Sequence, residues 1–100
     1  CGRACQAYAD FSSSSVLVKP ALKTGNVTLI NGAMCREVLT DAATGLANGV
    51  SYVDTQTLME QTVRAKVVVL AASAGESARL LLNSKSQRFP NGLANGSGVV

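Results

Sequence analysis

A chain of 100 residues has room for one small domain, and 47% hydrophobic against 15% charged residues marks a segment richer in interior than a free-standing domain of that size. The net charge is +3, but the nine Lys and Arg are scattered from Arg3 to Arg88 with no cluster and no aromatic partner nearby, so no nucleic-acid surface is expected. Histidine is absent, which removes the commonest general base and the imidazole metal ligand.

Residues 1–15 are small and polar, and the four closing serines are suited to cap a helix. Residues 16–23 mix β-branched side chains with Pro20, while Gly25 suits the left-handed stop of a helix. A short helix over 14–23, kinked at Pro20, is therefore expected. Three strand-like runs follow at 27–30, 33–40 and 49–55, separated by Asn31-Gly32 and by a loop over 41–48 rich in Ala, Thr and Gly. In the second run Met34, Arg36, Val38 and Thr40 alternate with Cys35, Glu37 and Leu39, and polarity selects neither face. Residues 56–60 read as a further turn, and 61–65 lead into Val67, Val68, Val69 and Leu70. Four consecutive branched apolar residues predict a strand covered on both faces, as in a parallel sheet flanked by helices.

Ala71, Ala72 and Ala74 then remove side-chain bulk, and open sheets hold ligands outside the carboxyl ends of such strands. Ser73 and Glu76 have the spacing of a capping box, which fixes the start of a helix. Ala74, Ala78, Leu81 and Leu82 fall on one face of it, with Glu76, Arg79 and Asn83 elsewhere. Beyond Ser84 the chain turns polar, Asn91-Gly92 and Asn95-Gly96 predict turns, and Val99 is expected to begin another element. The fold class predicted is α/β: an antiparallel β-meander, a buried parallel-sheet strand and a helix.

Motifs are sparse. Neither G-x-G-x-x-G nor G-x-x-x-x-G-K-[ST] occurs, and the glycines over 92–98 follow no strand, so they read as a flexible loop. Three cysteines are too few and too oddly spaced for a disulfide framework. Cys1 and Cys5 lack the second pair a metal site needs, and Cys35 reads as a small core residue. Ser73 and Ser77 have no base in the chain, and the carboxylates of Glu37, Asp41, Asp54, Glu60 and Glu76 are spread over different elements and read as solvated. No apolar run approaches the roughly 20 residues of a membrane span, and no signal-peptide pattern is present. The start at Cys1 and the apolar end at Gly98-Val99-Val100 suggest a window from a longer protein.

Five blocks, taken in order, resemble the middle of glucose–methanol–choline (GMC) flavin oxidoreductases. They are 14–29 (Ser-Ser-Val-Leu-Val-Lys-Pro-Ala-Leu-Lys-Thr-Gly-Asn-Val-Thr-Leu), 33–41 (Ala-Met-Cys-Arg-Glu-Val-Leu-Thr-Asp), 49–54 (Gly-Val-Ser-Tyr-Val-Asp), 65–74 (Ala-Lys-Val-Val-Val-Leu-Ala-Ala-Ser-Ala) and 76–84 (Glu-Ser-Ala-Arg-Leu-Leu-Leu-Asn-Ser). Residues 73–84 approximate the second family signature, with Ala78 where Pro or Ser is usual and Lys85 where Gly is usual. Residues 88–100 and Cys1-Gly-Arg-Ala-Cys5 are similar to the gluconate-dehydrogenase-like bacterial branch.

The resemblance implies FAD as cofactor and oxidation of the CH–OH group of an alcohol or sugar, with hydride transfer to the flavin. It implies a small-molecule substrate, and leaves open whether oxygen, a quinone or an electron-acceptor protein such as a cytochrome reoxidises the flavin. The family's histidine base and its pyrophosphate glycines lie near the two ends of the full protein, outside these residues. Of the family's flavin contacts, a backbone amide and carbonyl that pair with the adenine edge match the strand at 33–38, best at Cys35, and the Ala71-Ala72 turn is expected against the adenosine half. Residues 1–87 then belong to the middle of an FAD/NAD(P)-binding domain and 88–100 to the start of the connection toward the substrate domain. Another two-domain flavoprotein with the same meander, or a small non-enzymatic α/β binding module, are the competing readings.

Overall fold

The computed structural model describes residues 12–99, in two units that meet in sequence at Asn31. Cys1 and Cys5 lie outside the described residues.

In the first unit Ser12 caps the opening helix, its hydroxyl accepting from the Ser15 amide at 3.3 Å. Ser13–Val18 winds as a π-helix and continues as α1, Lys19–Lys23. The winding changes from π to α between Val18 and Lys19, and Pro20 falls directly after, in the first turn of α1. Thr24 and Gly25 end the helix: the Thr24 hydroxyl donates to the Ala21 carbonyl at 2.6 Å, and Gly25 takes φ 74°. The strand expected at 27–30 does not form. Val27, Leu29 and Ile30 are 45%, 52% and 47% exposed, and no strand among the described residues includes them.

The second unit is built on a three-stranded antiparallel meander in the order β1-β2-β3. β1 spans Ala33–Thr40, β2 spans Ala47–Asp54 and β3 spans Glu60–Arg64. β1 has the bounds expected, β2 begins two residues earlier than the run at 49–55, and β3 arises where a turn and a lead-in were expected. Register is irregular between Cys35 and Glu37, leaving Arg36 unpaired, and again between Leu39 and Thr40. These bulges break the period of two, which is why alternation along 33–40 selected no face.

The two hairpin loops share one design. In the first, the Asp41 carboxylate accepts from the amides of Ala43 and Thr44 and from the Thr44 hydroxyl, while the Gly45 amide donates to the Asp41 carbonyl. In the second, Asp54 accepts from the amides of Gln56 and Thr57, and the Leu58 amide donates to the Asp54 carbonyl. Both loops need a left-handed residue at the same place, filled by Gly45 at φ 73° and by Leu58 at φ 58°. Short Asp and Thr side chains close such turns locally, so Asp41 and Asp54 are turn-formers.

Residues 67–70 form no strand, and Val67 and Val69 are 75% and 80% exposed. The buried parallel strand expected there is absent from this structure for a physical reason: no described strand lies beside it to pair with. The helix that follows, α2, spans Ser73–Asn83 and packs on β1. Its buried side chain is Leu80, not Leu81 or Leu82, and with Val38 of β1 it makes up the apolar core of the described residues. Past Ser84 the chain returns over the end of α2, where the Leu93 amide donates to the Leu81 carbonyl at 2.9 Å. Gly92 permits this approach, since a Cβ there would sit 2.6 Å from the Leu81 carbonyl oxygen. Val99 begins no element.

Candidate functional site

Cys35 sits on β1 opposite Tyr52, just before the bulge at Arg36. Burial pushes its thiol pKa up and the Arg79 guanidinium offsets that only in part, so the sulfur stays protonated and behaves as a small apolar group. Its main chain is more informative. The Cys35 carbonyl accepts from Arg79 Nη2 at 3.0 Å, and Arg79 Nε donates to Glu76 Oε2 at 2.7 Å. Farther along β1 the Val38 amide donates to Ser84 Oγ at 2.7 Å, and the Ser84 hydroxyl donates to the Leu80 carbonyl. Ser84 is 3% exposed, so both bonds are shielded from water. β2 takes one edge of β1, and α2 meets main-chain groups of β1 that β2 leaves over.

Ala71 and Ala72 are exposed at the head of the same helix, with Ala72 as its N-cap. The capping box expected from Ser73 and Glu76 is not made: no side chain caps α2, Ser73 takes φ 68°, and the Glu76 carboxylate is held by Arg79. A charged guanidinium outcompetes a neutral amide for that carboxylate. α2 thus ties the candidate residues together, with Ala71-Ala72 at its start and the Cys35 carbonyl reached from Arg79, seven residues after Ala72 and about 10 Å along the axis.

Elsewhere the polar groups serve the sheet. Glu60 on β3 accepts from the Ser51 hydroxyl of β2 and from Arg36 Nη1 of β1 at 2.8 Å, joining all three strands. The Ser51 bond first, and the Arg36 charge after it, hold the Glu60 carboxyl below its usual range. The cleft of about 360 Å³ lined by Thr40, Ala42, Ser86, Gln87 and Arg88 lies at the far end of β1 from Cys35 and contains none of the candidate residues. Among the described residues no group of three His, Cys, Asp or Glu side chains gathers as a metal site, and no helix is long and apolar enough to cross a membrane.

The sequence pattern missed Arg79 and Ser84. A signal for Arg79 was available in the i, i+3 spacing of Glu76 and Arg79, which pairs the two on one helix surface. Nothing local distinguished Ser84, whose role depends on an amide 46 residues away.

The family model described as GMC oxidoreductase matches residues 1–89. The chain therefore belongs to the GMC oxidoreductase family, a family of flavoproteins, and the matched stretch is part of the family's N-terminal FAD-binding domain. It is 45% identical over 56 residues to 2-methyl-1,2-propanediol dehydrogenase of Mycolicibacterium austroafricanum, a match covering 56% of this chain and 10% of that protein. It is 31% identical over 96 residues to paromamine 6'-oxidase of Streptomyces fradiae, covering 96% of this chain and 18% of that protein. The chain thus spans less than a fifth of the length of either relative.

The features that bear on an adenosine group are the Cys35 carbonyl on the flank of β1, which Arg79 occupies, the small uncharged side chain at that position, and the two exposed alanines before α2.

Proposed function

We propose that this chain is the part of an FAD-dependent alcohol or sugar oxidoreductase that receives the adenosine half of the flavin. Residues 1–87 form the middle of the FAD-binding domain and 88–100 begin the connection toward the substrate domain. The observation that carries the reading is the joining of β1 and the Ala71-Ala72 turn through α2 in a chain of this family.

The main chain of Cys35 pairs with the adenine edge, and Ala71 and Ala72 keep the space beside it free of bulk. Backbone recognition tolerates any small residue, which accounts for a cysteine there. When bound, FAD accepts a hydride from the carbon bearing the hydroxyl, while a base supplied by another part of the protein takes the hydroxyl proton. This chain holds no histidine and contributes no catalytic residue; its share is to position the cofactor. In the full protein, 67–70 becomes the buried strand whose end carries Ala71 and Ala72.

The substrate class is a small molecule carrying a CH–OH group, as the names of the two relatives, a propanediol dehydrogenase and a paromamine oxidase, support. The reoxidant is oxygen, a quinone or an electron-acceptor protein, and the branch is the gluconate-dehydrogenase-like one. Purification of the full-length protein tests this: it should carry a flavin absorbance band and reduce an artificial acceptor when supplied with diols or sugars. A colourless protein that cannot be reconstituted with FAD overturns the proposal.

A further inference from the structure

We propose that Arg79 is the internal occupant of the adenine position on β1, holding the Cys35 carbonyl until the adenine amino group replaces it. The inference rests on the reading of Cys35 given above and adds the residue that competes for that carbonyl.

Arg79 Nη2 is a planar N–H donor 3.0 Å from the Cys35 carbonyl oxygen, and the exocyclic amino group of adenine is also a planar N–H donor. One donor can thus stand in for the other at a single acceptor. The Arg79 side chain is 36% exposed, so it has a way out toward solvent. Glu76 Oε2 binds its Nε at 2.7 Å from the same helix, so the displaced guanidinium leaves as half of an ion pair and no unpaired cation is stranded. α2 does not depend on Arg79 to stay on β1: Leu80 is 2% exposed, and the Ser84 hydroxyl keeps its bond to the Val38 amide. A guanidinium bonds a carbonyl more strongly than a neutral amine does, so adenine must work against Arg79 to enter. The affinity of the cofactor is lowered accordingly.

The test uses the full-length protein stripped of flavin, with Arg79 unchanged and as R79M, R79Q and R79K. Titration by flavin fluorescence compares FAD with FMN, which has the isoalloxazine and no adenine. R79M is expected to bind FAD about three- to tenfold more tightly, with R79K close to the parent and FMN affinity unmoved. R79Q carries the same expectation at smaller size and decides the question if R79M does not fold. Equal or weaker FAD binding by R79M and R79Q overturns the inference and leaves the flavin reading standing, and so does an equal gain for FMN. Failure of the parent protein to take up FAD overturns both.

Discussion

Leu58 holds a left-handed backbone at φ 58° with its side chain 78% exposed, so it bears the steric cost of that conformation and recovers little from burial. The cost is about 1–2 kcal/mol for a residue with a Cβ. L58G should stabilise the β2–β3 hairpin by about 1 kcal/mol, read as roughly fivefold slower hydrogen exchange of the Met59 amide in the full-length protein. Unchanged or faster exchange would refute it. Gly45, at the same place in the first loop, gives the reverse case, since a Cβ there would lie 2.8 Å from Arg88 Nε. The carboxylates of these loops make a second residue-scale prediction. The Asp41 carboxyl is held down chiefly by the Thr44 amide and that of Asp54 by the Thr57 amide. A folded-state pKa below the unfolded one gives stability that is full above the ordinary carboxylate range, about pH 4, and is lost as pH falls through the folded value. Hairpin protection should thus decline below about pH 4, and D54N should flatten that decline in the second hairpin because an amide does not titrate. An identical acid profile for D54N would count against the mechanism.

At the scale of elements, the union of α2 with β1 depends on Ser84. Its hydroxyl is buried and bonded at once to the Val38 amide and the Leu80 carbonyl. S84A leaves a buried N–H without its partner and should cost about 1–3 kcal/mol. The specific readout is the Val38 amide, whose exchange should speed up at least fivefold while the amides of the β2–β3 ladder keep their rates. A uniform acceleration over the sheet would show that Ser84 acts through global stability instead. Ser84 also marks the limit of what the chain discloses locally. β1 was legible in its bounds because turn signals, Asn31-Gly32 before it and the Ala-, Thr- and Gly-rich loop over 41–48 after it, delimit the run, and α2 because its small and apolar residues recur at helical spacing. Its buried residue was not, because Leu80, Leu81 and Leu82 are alike in sequence and only the position of β1 decides which is covered. The capping box at Ser73 and Glu76 failed for a similar reason, a longer side chain on the next turn having reached the carboxylate first. Cys35 could be placed on a strand by pattern, but the occupant of its carbonyl could not.

At the scale of the whole molecule, the apolar runs that made 67–70 read as a buried strand are left without cover. Val38 and Leu80 are the buried apolar side chains among the described residues, whereas Leu46, Leu58, Val67 and Val69 are 69%, 78%, 75% and 80% exposed. Exposed apolar surface on this scale is the kind that contacts with further polypeptide cover, and the chain spans only 10% and 18% of the length of its two relatives. The pattern of 67–70 suits the buried strand proposed above, whose neighbours would have to come from the rest of a full-length protein. The 100-residue chain made alone should therefore bind a hydrophobic dye such as ANS and melt without a cooperative transition. Within the full-length protein the amides of 67–70 should instead be among the slowest to exchange, because a central strand opens only with the domain. A sharp melt of the isolated chain without dye binding would mean that its own residues make a sufficient core. Fast exchange at 67–70 in the full protein would remove the strand, and with it the support for Ala71 and Ala72 beside the cofactor.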